Sequence, residues 1–192
     1  MDQQAENLSV LHKVISAFND LGVPCAVGGS ISSSVYGTPR FTRDADITVA
    51  PFGGREPELL TFFGPEYYIS LAAAVEANRT RRCFNIIQST QGFKVDVFVR
   101  SERAFDIAAM QRRTVIDVAE FHFPMFSPED IVLWKLEWFR IGNEVSERQW
   151  SDILGVLRAR ADKLDQNYLE HWAATLQVSD LLQRANREAA QQ

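Results

Sequence analysis

The chain has 192 residues, of which 46% are hydrophobic and 23% are charged, as in an ordinary globular protein. This length allows one sizeable core, or one domain with a helical appendix. The formal net charge of −5 at pH 7 argues against a protein that depends on long-range attraction to nucleic acid. No apolar run approaches the length of a membrane span and the first residues lack the features of a signal peptide, so we expect a cytoplasmic protein.

Cysteines and histidines are few and scattered. Cys25 and Cys83 do not make a disulfide framework, and both lie beside strand-like runs, so we expect buried thiols. His12, His122 and His171 show no metal-ligand spacing, and a zinc site is therefore not supported.

The N-terminal part is predicted to contain a helix over 8–21 that ends at Gly22, followed by a short buried strand over 25–27. The glycine turn Gly28-Gly29-Ser30 then leads into a short helix. Glycines let the backbone approach a ligand closely, and free N–H groups at a helix start attract anions. This turn could therefore hold the phosphates of a nucleotide, with the Ser30 hydroxyl as an additional donor.

Three aspartates lie on predicted strands. Asp44 and Asp46 lie two residues apart on a strand predicted over 41–49, so both side chains project from the same face. Asp96 lies in an alternating run that can form a neighbouring strand. Three carboxylate ligands on one sheet surface suit Mg²⁺, and two such ions would clamp the attacking and leaving oxygens of an in-line displacement.

The segments around the third aspartate alternate between helix and strand signals. We predict one or two helical turns over 58–63, a helix over 67–76, a hairpin of strands over 83–88 and 93–99, a helix over 101–110, and one or two short strands over 113–123.

Arginines are concentrated in this middle third: Arg79, Arg81, Arg82, Arg100, Arg103, Arg112 and Arg113. They form either a basic rim suited to a polyphosphate or an RNA end, or a set of solvated side chains at strand ends. The sequence supports the two interpretations equally.

The C-terminal part is predicted to be helical. Ser127 is a good N-cap and Pro128 suits the first helical position of a helix running to residue 140. Lys135 lies on an otherwise apolar face of this helix, where a lysine either extends to solvent or reaches into a site. Arg148 and Asp152 are four residues apart and can pair on the next helix. Two more helices are expected over 165–187.

The glycine turn, the run Arg40-x-Thr42-x-Asp44-Ala45-Asp46 and the later Asp96 together resemble the DNA polymerase β-like nucleotidyltransferase superfamily. The bacterial AbiEii-type branch, known from toxin–antitoxin systems, is the branch that the motifs resemble most. The resemblance implies an α/β (α+β) fold, with a mixed-sheet core flanked by helices over 1–124 and a helical segment over 125–192. It also implies that Lys135 meets the nucleotide phosphates and that Asp152 matches an acidic position of the branch.

The activity implied is Mg²⁺-dependent transfer of a nucleoside monophosphate from an NTP to a hydroxyl of a tRNA or RNA end, a protein or a small molecule. Asp44, Asp46 and Asp96 would bind two Mg²⁺ ions. The residues expected to bind or steady the nucleotide are Gly28, Gly29, Ser30, Arg40, Thr42, Lys135 and Asp152, although Arg40 and Thr42 are also suited to bracing the aspartate strand.

Three alternatives stay open on the sequence. A structural ion pair explains Arg148 and Asp152 about as well as a site does. The second alternative is a non-catalytic nucleotide- or RNA-binding module of the same fold, such as one partner of a toxin–antitoxin pair. The third alternative is a metal-dependent phosphohydrolase that uses the same aspartates on water.

Overall fold

A mixed seven-stranded sheet, with strands between residues 25 and 125, organises the first part of the chain in the computed structural model, which describes residues 3–191. Its strands are β1 (Cys25–Val27), β2 (Asp44–Val49), β3 (Tyr67–Ile69), β4 (Cys83–Gln88), β5 (Phe93–Val99), β6 (Thr114–Val118) and β7 (Phe121–Met125). Their order across the sheet is β3-β4-β5-β2-β1-β7-β6. The pairs β2–β5 and β1–β7 are parallel, and the remaining neighbours are antiparallel.

Helices lie between the strands and form the C-terminal part of the described chain. They are α1 (Gln3–Asp20), α2 (Gly29–Tyr36), α3 (Glu56–Leu60), α4 (Leu71–Thr80), α5 (Ala104–Arg112), α6 (Pro128–Ile141), α7 (Glu147–Ala159), α8 (Gln166–Thr175) and α9 (Ser179–Ala190). The predicted α/β class, with a mixed sheet and flanking helices, is confirmed. Within residues 3–191, no helix is long and apolar enough to cross a membrane.

The described residues divide into two units. The first contains the described residues up to Gly28 together with Phe41–Met125, and therefore holds the whole sheet. The second contains Gly29–Arg40 and the described residues from Phe126 onward, and therefore holds α2 and α6 to α9. The chain passes from one unit to the other inside the glycine turn, directly after Arg40, and again directly after Met125.

In the first unit, α1 packs against the sheet through a stripe of apolar side chains. Leu11, Val14 and Phe18 are fully buried, as their spacing of three and four residues predicts. Gly22 follows the helix in the left-handed region with φ of 65°, a conformation that glycine adopts without strain. The predicted first helix and its end are therefore confirmed, whereas its start lies at Gln3 rather than at residue 8.

The predicted helix over 67–76 is wrong in its first part. Tyr67–Ile69 forms β3 and pairs with β4, and the helix α4 begins only at Leu71. Aromatic and β-branched residues suit a strand, and Ser70 caps the helix because its hydroxyl accepts a hydrogen bond from the Ala73 amide at 3.2 Å. The hairpin of β4 and β5 is formed as predicted, with Gly92 at φ of 66° in its turn.

In the second unit, α6 begins where its capping signals predict. The Ser127 hydroxyl accepts a hydrogen bond from the Asp130 amide at 3.2 Å, and Pro128 lies in the first turn. The helices α2 and α7 approach closely because Gly37 and Gly155 lie where they meet. A Cβ atom on Gly37 would lie only 2.7 Å from the carbonyl carbon of Gly155.

Candidate functional site

The parallel register of β2 and β5 places the three predicted aspartates on one face of the sheet. Asp44 is opposite Lys94 and Asp46 is opposite Asp96, while the alternate residues such as Ala45 are fully buried on the other face. We call the surface formed by Asp44, Asp46, Lys94 and Asp96 the carboxylate face. Residues opposite one another on neighbouring strands are about 5 Å apart, so Asp46 and Asp96 are side by side.

Asp96 has two partners that the sequence interpretation did not identify. The Lys94 Nζ atom lies 2.7 Å from Asp96 Oδ2, and the Asn85 side-chain amide donates to Asp96 Oδ1. The hydrogen bond to Asp96 raises the pKa of Lys94, and the negative charges of Asp44 and Asp46 add to this effect. Strand alternation predicts that Lys94 lies beside Asp96. The contact with Asn85 can be predicted only when the register of β4 and β5 is known.

Two further predicted residues support the aspartates of β2. The Thr42 hydroxyl donates a hydrogen bond of 2.8 Å to Asp44 Oδ1, and it therefore restrains that carboxylate. The Gly28 amide donates to the Asp46 carbonyl at 2.9 Å, which joins the start of the glycine turn to the aspartate strand. Gly29, the first residue of α2, has φ of 54° and so requires the conformational freedom of glycine.

The other four predicted residues converge in the second unit. Arg40 donates to both oxygens of Asp152, from Nε at 3.0 Å and from Nη2 at 2.9 Å, and Nη2 also donates to the Ser30 hydroxyl. Lys135 donates to Asp152 Oδ2 at 2.8 Å. Ser30 lies in the first turn of α2, Lys135 lies on α6 and Asp152 lies on α7. We call these four residues the cation cluster.

The cation cluster holds two positive charges against one carboxylate. The side chains are largely buried, with exposed fractions of 23% for Arg40, 12% for Lys135 and 8% for Asp152. Burial alone would raise the pKa of Asp152, but hydrogen bonds from Arg40 and Lys135 outweigh it and lower that pKa. The cluster has a net positive charge beside a helix N-terminus, an arrangement suited to an anion. Both oxygens of Asp152 are bonded to these two residues rather than to Arg148.

The carboxylate face fits a divalent cation in its chemistry. Asp44, Asp46 and Asp96 offer the hard oxygen ligands that Mg²⁺ prefers, and with Lys94 they leave two net negative charges. Among residues 3–191, however, no three His, Cys, Asp or Glu side chains are arranged so that they could hold a metal ion. The Asp96 carboxylate instead pairs with Lys94 and accepts a hydrogen bond from Asn85. Metal coordination by all three aspartates therefore requires these contacts to change.

Several arginines of the middle third face carboxylates within the first unit. Arg79 pairs with Glu76 at 2.6 Å, Arg81 with Glu102 at 3.6 Å, and Arg103 with Asp106 at 3.0 Å. Their charges are therefore balanced locally, which favours the interpretation of solvated arginines over a basic rim at these three positions.

Both cysteines are free thiols, with Cys25 buried and Cys83 half-buried. Burial raises the pKa of Cys25 to about 12. Burial, together with the negative charges of Asp96 and Asp46, raises the pKa of Cys83 to about 12. Cys83 therefore lies within the electric field of the carboxylate face.

No protein-family profile and no curated protein sequence matches the chain. It is similar to a crystal structure of ANT(2″)-Ia in complex with adenylyl-2″-tobramycin, with a TM-score of 0.57 and 16% identity over 88% of this chain and 95% of that one. It is also similar to an antigenic nucleotidyltransferase-like protein from Paracoccidioides brasiliensis, with a TM-score of 0.53 and 16% identity over 95% of this chain and 93% of that one. The AbiEii branch stays a prediction. The likeness establishes the architecture: the chain has the fold seen in nucleotidyltransferases.

Proposed function

We propose that this protein transfers a nucleoside monophosphate from an NTP to a hydroxyl acceptor and releases pyrophosphate. The observation that carries the proposal is the register of β2 and β5, which places Asp46 beside Asp96 with Asp44 on the same face. The fold supports the same reaction class, because the similar protein ANT(2″)-Ia was crystallised in complex with adenylyl-2″-tobramycin, a molecule with an adenylyl group on tobramycin.

The residues of the carboxylate face have distinct roles in this proposal. Asp44, Asp46 and Asp96 would hold Mg²⁺, two ions being expected, and the bound metal would neutralise phosphate charge and lower the pKa of the attacking hydroxyl. Thr42 keeps the carboxylate of Asp44 in place through its 2.8 Å hydrogen bond. The Gly28 amide fixes the glycine turn against the backbone of Asp46. Both contacts are made within the protein and would hold the metal-binding strand in place during the reaction.

The nucleotide phosphates would be bound by the glycine turn and the cation cluster. The turn offers backbone N–H groups at the start of α2, and Arg40 and Lys135 offer positive charge. Asp152 orients both cations without cancelling both of their charges. The residues given this role are Gly28, Gly29, Ser30, Arg40, Lys135 and Asp152.

The acceptor in this proposal is a hydroxyl of an RNA or tRNA end, a protein or a small molecule. In this proposal the protein could be one component of a toxin–antitoxin pair and would then have a partner protein.

Purified protein is incubated with Mg²⁺ and each α-³²P-labelled NTP, in separate reactions with total cellular RNA, lysate protein, or hydroxyl-bearing small molecules that include tobramycin. The variants Asp44→Asn and Asp46→Asn are compared with Asp117→Asn, because the Asp117 side chain is 77% exposed on β6 of the same sheet. We expect label on one acceptor class, lost by about 100-fold or more in the first two variants and retained in the third.

Three results would contradict the proposal in different ways. Full turnover by Asp44→Asn or Asp46→Asn would refute the assignment of the metal ligands. Release of orthophosphate instead of pyrophosphate would identify a phosphohydrolase. NTP binding without any labelled acceptor would identify a nucleotide-binding module that does not catalyse transfer.

A further inference from the structure

The contact between Lys94 and Asp96 puts a positive charge where the proposed function needs a metal ion. Lys94 and Asp96 are two residues apart on β5 and project from the same face. Lys94 Nζ lies 2.7 Å from Asp96 Oδ2, and Asn85 donates to the other oxygen. Both carboxylate oxygens of Asp96 are therefore engaged by side chains of the protein.

Lys94 also lies beside the other aspartates of the carboxylate face. Its register partner on β2 is Asp44, and Asp46 is the register partner of Asp96. An ammonium supplies one positive charge to this group, whereas a divalent cation supplies two and accepts the carboxylate lone pairs directly. The ammonium occupies Oδ2 of Asp96, so a metal ion coordinated by this oxygen would have to displace it.

The Lys94 side chain can leave this position. Its exposed fraction is 41%, against 16% for Asp96, so the ammonium has access to solvent while the carboxylate is more enclosed. Lysine has a long flexible stem and carries its charge on a single compact group. Asp96 can therefore exchange partners without any change in the strand that carries it.

We propose that Lys94 is the resident counter-ion of Asp96 and competes with the divalent metal for this carboxylate, so that Lys94 sets the metal concentration at which the carboxylate face is filled. Lys94 is a positioning residue in this scheme, because it holds Asp96 in the metal-free protein and withdraws when the metal binds. The inference rests on the proposed function for its assignment of Asp44, Asp46 and Asp96 as metal ligands.

The test measures Mn²⁺ binding to the full chain without nucleotide, by titration calorimetry and by the electron paramagnetic resonance signal of free Mn²⁺. Lys94→Met keeps the length of the side chain and removes its charge, and we expect its Kd for Mn²⁺ to be about fivefold lower than that of the wild type, or lower still. Lys13→Met is the matched control, because Lys13 lies in the same unit, pairs with Glu66 at 3.7 Å and is 42% exposed. It should leave the Kd unchanged.

A second comparison separates competition from a general effect of charge or folding. The Asp96→Asn variant lacks the carboxylate for which Lys94 and the metal compete. Adding Lys94→Met to this variant should therefore change the Kd for Mn²⁺ much less than it does in the wild type. Equal Kd values for the wild type and Lys94→Met, or weaker binding by Lys94→Met, would overturn the role of Lys94.

The same titrations separate this inference from the proposed function. Mn²⁺ binding that is weakened by Asp44→Asn but unaffected by Lys94→Met would overturn only the competition by Lys94. If neither the wild type nor Asp44→Asn binds Mn²⁺, both the metal assignment and the role of Lys94 are wrong.

Discussion

Arg40 and Asp152 are 112 residues apart in the chain and form a two-point ion pair, with Nε–Oδ1 at 3.0 Å and Nη2–Oδ2 at 2.9 Å. The planar guanidinium matches the two carboxylate oxygens, a geometry that lysine cannot reproduce. Lys135 adds a second cation to Oδ2 at 2.8 Å. This arrangement joins the segment after α2 to both α6 and α7, so it contributes to the stability of the second unit as well as to its charge.

Replacing the shared carboxylate should destabilise the protein. In Asp152→Asn two largely buried cations lose their counter-charge, and breaking such a pair from one side costs about 3 kcal/mol of the free energy of unfolding. Urea denaturation measures this change. The control is Asp180→Asn, because Asp180 pairs with Arg140 at the surface of the same unit and its loss should leave the midpoint nearly unchanged. Equal effects of the two variants would contradict the structural role of Asp152.

The contribution of Asp152 should also depend on pH. Its pKa in the folded protein is lowered below the usual 3.8, because the hydrogen bonds from Arg40 and Lys135 outweigh the effect of burial. The stabilisation is therefore complete above the unfolded-state pKa and is lost as the pH falls through the folded-state pKa. We expect the difference in unfolding free energy between the wild type and Asp152→Asn to be constant between about pH 8 and 5 and to shrink below about pH 4. A difference that grew on acidification would contradict this assignment.

The sequence predicts the carboxylate face well because its signals are local. Alternation along one strand decides that Asp44 and Asp46 share a face, and the apolar residues on either side of Asp96 decide that it faces the same way on its own strand. The same alternation places Lys94 on this face, two residues before Asp96, so their contact also has a local signal.

The ion pair of Arg40 with Asp152 could not be predicted in this way. Spacing along one helix offered Arg148 as the partner of Asp152, since helical neighbours are four residues apart. The observed partners come from other elements, and their proximity depends on how α2, α6 and α7 pack. The helix predicted over 67–76 failed for a related reason, because its first residues form β3 by pairing with β4, a long-range interaction.

The close approach of α2 and α7 should be sensitive to a single methyl group. A Cβ on Gly37 would lie 2.7 Å from backbone atoms of Gly155 and Val156, which cannot move as a flexible side chain can. We expect Gly37→Ala to lower the free energy of unfolding by about 2 kcal/mol, measured by urea denaturation. At Gly53 the nearest atom would be 4.0 Å away, so Gly53→Ala is the matched control and should have little effect. Similar urea midpoints for Gly37→Ala and Gly53→Ala would show that α2 and α7 can move apart without a loss of unfolding free energy.

Cys83 offers a chemical probe of the carboxylate face. Burial and the charges of Asp96 and Asp46 raise its pKa to about 12, so the thiol is almost entirely protonated at pH 8. Asp96→Asn removes one of these charges and should lower that pKa, which increases the thiolate fraction and the rate of alkylation by iodoacetamide by about threefold or more. Cys25, whose pKa is raised by burial, serves as the internal control in the same samples. An unchanged rate at Cys83, with Cys25 also constant, would show that Asp96 does not act on this thiol.

Lys135 allows a kinetic test of the role assigned to the cation cluster. If its ammonium binds the nucleotide phosphates in the ground state and in the transition state alike, Lys135→Met should raise the KM for NTP by about tenfold and change kcat much less. Lys163→Met is the control, because Lys163 is an exposed lysine of the same unit. An unchanged KM for NTP, together with a lower free energy of unfolding, would show that Lys135 serves only as a partner of Asp152. The nucleotide phosphates would then be bound without it.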